Sequence, residues 1–318
     1  MRPPLRIDGQ RMHPRSQFFL WASERQGIKL TEMEPIEFRA QMAEVRKKVP
    51  HRKLCKTEDH VLHLEDADIP IRIYRPKQPN GITMVYFHGG GYIICCIDSH
   101  DTPCHQIAYY SGITVISVEY RLAPEHPFPT PINDGIQSYL KIRERASDFG
   151  IDPDRMIVGG DSAGGNLSAV LCQQLRGTPD APKHQLLVYP PVGGASARPS
   201  YDLFAEGCLL TKEWIYHSIS LYLPDKDLVD DVRVSPMRAK SLKGLPPATI
   251  VVAGFDPLRD DGFAYTEALR EAGIYVRFHF FSELFHGFFN LGHILPEGYR
   301  AVKKVAIQLK EDMQRQSL

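Results

Sequence analysis

Metal-binding and nucleotide-binding signatures are missing from this 318-residue chain. It holds no H-E-x-x-H run and no Walker A loop, and its glycine clusters do not fit the dinucleotide fingerprint. Chemistry without a metal or a cofactor is therefore expected. The six cysteines (Cys55, Cys95, Cys96, Cys104, Cys172 and Cys208) form no C-x-x-C pair and no regular framework. The first twenty residues carry Arg2, Arg6, Arg11 and Arg15 but no continuous apolar stretch, which argues against a secretory signal. Reduced thiols in a cytoplasmic protein are the expectation. Basic and acidic side chains number 38 each, so no charge imbalance favours nucleic acid or an anionic membrane as a partner. No apolar run approaches the roughly 18 residues of a membrane span, and no membrane insertion is expected.

What is present describes a globular chain, with 43% hydrophobic and 24% charged residues. Short apolar runs alternate with helix-like segments. Val61, Leu62 and Leu64, then Ile69, Ile71 and Ile73, read as two antiparallel strands, with Pro70 placing the second at a sheet edge. Buried strands follow at 82–87, 113–118, 155–159, 185–189, 248–253 and 275–280. Helices are expected near 100–111, 132–148, 163–175, 260–272 and 297–315. This order predicts an α/β fold of about eight strands, mostly parallel, flanked by helices. Two regions break the alternation. Residues 1–50 read as an N-terminal helical segment, with Pro35 opening a helix whose Ile36, Met42, Val45 and Val49 recur at helical intervals. Residues 191–245 read as an insertion above the strand ends, leaving 51–318 as the main domain.

The stretch Gly160-Asp161-Ser162-Ala163-Gly164 sits between a short apolar strand and a helix. A serine between glycines in that setting reads as a nucleophile elbow, whose tight turn lifts the hydroxyl clear of the backbone. A serine hydroxyl needs a base to take its proton, and a histidine base needs a carboxylate to hold its tautomer. Two candidates sit beyond later strands, where functional residues of α/β sheets gather: Asp256 and His286. Asp260 and Asp261 are rivals for the acid, but they open the next helix, where a solvated or dipole-facing role is expected. Glycines 89 and 90, after the strand at 82–87, would let bare amides approach an oxyanion, with Ala163 as a third donor.

His88-Gly89-Gly90-Gly91, Tyr120-Arg121-Leu122-Ala123-Pro124-Glu125-His126-Pro127-Phe128-Pro129, Gly160 to Gly165, Asp256-Pro257-Leu258-Arg259-Asp260 and His286-Gly287-Phe288 together resemble the hormone-sensitive-lipase family. The resemblance covers about residues 60–315. It implies an α/β-hydrolase fold with a helical cap built from the N-terminal segment and the insertion. It also implies a serine carboxylesterase acting on short- to medium-chain esters through an acyl-enzyme. Ser162 would be the nucleophile, Asp256 the acid and His286 the base, with oxyanion donors on Gly89, Gly90 and Ala163. His88 and Gly91 would support the oxyanion loop. Tyr92, Cys95, Asp161 and Trp214 are expected around the substrate pocket. Cys95 and Cys96 depart from the family, whose bacterial members usually carry a glycine four residues beyond the glycine run. Plant gibberellin receptors resemble the same family but lack the triad histidine, so His286 separates an enzyme from a receptor. A small-molecule ester is the expected partner, and a homodimer through the last strand is a further expectation.

Overall fold

The computed structural model describes residues 5–27, 30–48, 52–194 and 198–316. Arg2 and Val49 lie outside the described residues. Ten strands are seen among the described residues: β1 (Arg6–Ile7), β2 (Gln10–Arg11), β3 (Lys56–His63), β4 (Asp68–Arg75), β5 (Thr83–Phe87), β6 (Thr114–Val118), β7 (Met156–Asp161), β8 (Gln185–Val188), β9 (Ala248–Phe255) and β10 (Val276–Phe285). The helices are α1 (Pro14–Glu24), α2 (Pro35–Lys48), α3 (Asp101–Ser111), α4 (Thr130–Glu144), α5 (Ala163–Gln174), α6 (Pro199–Leu203), α7 (Lys212–Tyr222), α8 (Arg259–Glu271) and α9 (Pro296–Arg315). Strands β1 and β2 pair with each other. The other eight form one sheet in the order β10-β9-β8-β7-β5-β6-β4-β3. Pairing is parallel from β10 through to β6, and antiparallel where β4 joins β6 and β3 joins β4.

Side-chain alternation along the central strands explains why both faces are covered. Val85 and Phe87 of β5 belong to one core with α4, α5 and α8, whereas Met84 and Tyr86 belong to another with α3 and α9. The five residues of β5 and the five of β6 are all buried, as unbroken apolar runs demand in a two-sided sheet.

One local expectation fails for a physical reason. Pro70 lies in β4, which is interior, between β3 and β6. Its carbonyl accepts the Glu119 N–H at 3.0 Å, one residue beyond the last β4–β6 pair, Ile71 with Val118. The N–H and C=O of a strand residue face the same neighbour, so the missing donor falls at the end of that ladder and breaks no bond within it. Helix α2 starts at Pro35 as its spacing predicts, and its Ile36, Met42 and Val45 are exposed. Arg39 attaches the helix instead: its guanidinium donates to the carbonyls of Ile93 (2.7 Å) and Ala123 (2.5 Å) and pairs with Glu125 (2.7 Å). Along α1, Phe19 stacks on Phe285 and Leu20 is buried, while Phe18 faces solvent.

Candidate active site

The parallel strands deliver the chemistry to one edge of the sheet. Strand β5 ends just before His88, β7 just before Ser162, β9 just before Asp256 and β10 just before His286. Register keeps these ends level, with Phe87 opposite Gly160 and Phe285 opposite Phe255. Ser162 sits at φ 53°, ψ −120°, a conformation that an L residue adopts only when its surroundings enforce it. Its N–H is tied to the Val188 carbonyl at 2.8 Å. Gly164 shows why the elbow needs glycine: a Cβ there would lie 1.9 Å from the Phe87 carbonyl oxygen, on backbone that cannot give way.

Ser162 Oγ lies 3.1 Å from His286 Nε2, and His286 Nδ1 lies 2.8 Å from Asp256 Oδ2. Asp256 is fully buried, and its other oxygen accepts the Leu258 N–H at 2.8 Å. A carboxylate only accepts, so the proton between them sits on His286 Nδ1 and leaves Nε2 bare to take the serine proton. The Tyr189 ring lies against the imidazole, with centroids 4.4 Å apart. The rival acids are engaged elsewhere. Asp260 accepts the Ser200 N–H and pairs with Arg259, and Asp261 pairs with Arg198 at 2.8 Å. Asp261 is buried, contrary to the solvated role expected of it, because Arg198 and the Tyr201 hydroxyl satisfy its charge.

The oxyanion loop corrects one assignment. The Gly89 N–H donates to Asp161 Oδ1 at 3.1 Å, so it turns away from Ser162 and is no free oxyanion donor. Glycine is required there for a different reason, since a Cβ would lie 2.7 Å from the Asp161 carboxylate. Gly90 and Gly91 line the cavity beside Ser162 and Ala163, and their amides make no hydrogen bond among the described residues. His88 is buried against Tyr120, with stacked ring centroids 4.4 Å apart. Burial, and then the neighbouring His100, push its pKa down to about 3, so it is neutral. Its Nδ1 contact with the Gly89 carbonyl (2.8 Å) therefore carries the ring proton and orders the loop.

A family model described as the alpha/beta hydrolase fold matches residues 84–290. The chain belongs to the hormone-sensitive-lipase-like α/β hydrolases. Carboxylic ester hydrolase LipN of Mycobacterium tuberculosis is 41% identical over 298 residues, covering 90% of this chain and 79% of that protein. An ethyl acetate hydrolase of Pseudomonas putida is 35% identical, covering 77% of this chain and 79% of its own length. Among solved structures, the ester hydrolase EH1AB1 from the metagenome of Lake Arreo, complexed with a bipyridine phosphonate derivative, superposes with a TM-score of 0.90. It is 36% identical, with 95% of this chain and 99% of that chain covered.

In this α/β hydrolase, Ser162 opens into a cavity of about 250 Å³. Tyr92, Cys95, Asp161 and Trp214 all line it, and Gly91 contributes to its rim. Residues 191–245 supply much of the remaining wall, notably Ile215, Ser218, Ile219 and Tyr222 of α7. Cys95 has φ 74°, the left-handed region that favours glycine, which accounts for the glycine usual in bacterial relatives. Asn290 also lines the cavity and was not anticipated. Its position four residues past His286 was the available signal.

Proposed function

We propose that Ser162, Asp256 and His286 form the catalytic triad of a serine carboxylesterase, with oxyanion donors on Gly90, Gly91 and Ala163. The observation that carries this reading is the continuous relay from Ser162 Oγ through His286 to Asp256, at 3.1 and 2.8 Å. His286 takes the serine proton as Oγ attacks the ester carbonyl, and the three amides hold the oxyanion of the tetrahedral intermediate. His286 then protonates the departing alcohol. Water, deprotonated by the same imidazole, cleaves the acyl-enzyme. Loss of one oxyanion donor typically lowers turnover about 10²–10³-fold, so the loop geometry matters as much as the nucleophile.

The N-terminal segment and residues 191–245 are read as a cap over this site. Thr31 donates to Glu213 of α7 at 3.2 Å, which joins the two parts. A cavity of about 250 Å³ lined mainly by apolar side chains supports short to medium acyl chains, since pockets for drug-sized ligands run to roughly 300–1,000 Å³. In a series of p-nitrophenyl esters, kcat/KM should be highest between acetyl and hexanoyl and fall about tenfold or more by dodecanoyl. A maximum at dodecanoyl would overturn the chain-length assignment. Saturable binding without hydrolysis across the series would instead favour a receptor.

No helix among the described residues is long and apolar enough to cross a membrane. The six cysteines, none in a disulfide, support a cytoplasmic placement. Strand β10 lies at the edge of the sheet, and the exposure of Phe280 on it and of Tyr275 just before it supports a second copy of the chain as a partner. Sedimentation as a monomer at micromolar concentration would remove that reading.

A further inference from the structure

Asp161 precedes the nucleophile and is only 2% exposed. A carboxylate so deeply buried has to be surrounded by donors. They come from separate segments: Tyr86 Oη of β5 at 2.8 Å, the Gly89 N–H at 3.1 Å and Asn290 Nδ2 at 3.1 Å. His100, at the start of α3, lies in the same cluster, with Nε2 2.6 Å from Asn290 Nδ2 and 3.3 Å from the Gly89 nitrogen. Ser99 Oγ donates to the Cys96 carbonyl at 2.6 Å, so at 2.7 Å from His100 Nδ1 it accepts that ring proton. Nε2 faces the Asp161 carboxylate, 3.1 Å from Oδ1 and 3.3 Å from Oδ2, so His100 is tied to the same acid. The Asn290 amide nitrogen donates to Asp161 Oδ2 and also lies against His100 Nε2.

Asn290 is held rigidly to the base. Its N–H returns to the Gly287 carbonyl at 3.1 Å, placing it on the same tight turn as His286. Its side chain meets the carboxylate beside Ser162 and the imidazole beside Gly89. We propose that Asn290 is a positioning residue for ester hydrolysis, locking the turn that carries His286 to the nucleophile and to the oxyanion loop. This inference rests on the triad reading above. The assignment concerns alignment of three segments, so its signature lies in transition-state stabilisation rather than in ground-state binding.

Asn290→Leu, which keeps the side-chain shape, and Asn290→Ala remove both donors. In each folded variant kcat should fall roughly 10- to 100-fold with KM within about twofold, as a misalignment of catalytic groups produces. Affinity for a trifluoromethyl ketone, which forms the tetrahedral adduct on Ser162, should fall by the same factor as kcat. Unchanged kcat in either folded variant would overturn the proposal. So would a fall in kcat with unchanged ketone affinity, or a rise in KM alone, which would mark Asn290 as merely a wall of the cavity. Labelling by a fluorophosphonate separates this failure from failure of the triad. The Asn290 variants should still label once per chain, more slowly, whereas absence of labelling in the unaltered protein would remove the serine-hydrolase reading itself.

Discussion

Ser162→Ala should abolish hydrolysis of p-nitrophenyl butyrate, lowering kcat on the order of 10⁶-fold, because nucleophile and base act as one unit. The substitution removes one oxygen and little else. Ser162 Oγ makes no capping bond to α5, and it meets His286 Nε2 at 3.1 Å. Alanine carries the same Cβ through the φ 53° turn, so it adds no clash and no strain beyond what serine already bears. Folding stability should therefore stay within about 1 kcal/mol of the parent. Thermal unfolding followed alongside kcat checks both halves. Activity within tenfold of the parent in a folded Ser162→Ala protein would remove Ser162 from the mechanism, and with it the meaning given to the elbow.

The parts of this molecule that depend on one segment were readable from that segment. A buried parallel strand announces itself as an unbroken apolar run, and β5, β6, β7 and β9 begin and end within about two residues of expectation. The placement of Ser162, Asp256 and His286 at strand ends was readable because each directly follows a strand. What required three dimensions was the partner of each polar group. Gly89 and Gly91 look alike in a glycine run, yet the Gly89 amide meets Asp161 while Gly91 lines the cavity. Asp261 reads as a surface acid until Arg198, more than sixty residues earlier, covers it. The apolar residues of α2 follow helical spacing, but the contacts that attach the helix are charged and come from Arg39. Apart from its place four residues past His286, nothing local marks Asn290, because its polar contacts with Asp161 and His100 come from distant stretches of chain.

Asp256→Asn is expected to lower kcat about 10⁴-fold while leaving the serine and the histidine in place, as loss of the correct histidine tautomer does in serine hydrolases generally. Two hydrogen bonds determine the outcome. Asp256 Oδ1 accepts the Leu258 N–H at 2.8 Å, and Oδ2 accepts from His286 Nδ1 at 2.8 Å. Asparagine can accept through only one of those positions. If its amide nitrogen faced the Leu258 N–H, two donors would meet in a fully buried site, at a cost of about 1–3 kcal/mol. The favoured orientation keeps the oxygen on Leu258 and turns the amide toward His286 Nδ1. That nitrogen must then accept, which moves the ring proton to Nε2 and leaves no lone pair for the serine proton. The expected result is a loss in kcat with little change in KM, and ring ¹⁵N shifts that report a bare Nδ1. Asp260→Asn, whose carboxylate contacts Ser200 and Arg259 rather than the imidazole, should keep kcat within a few-fold of the parent. If the two variants lost activity equally, or if Asp256→Asn lost less than tenfold, the acid would have to be sought elsewhere.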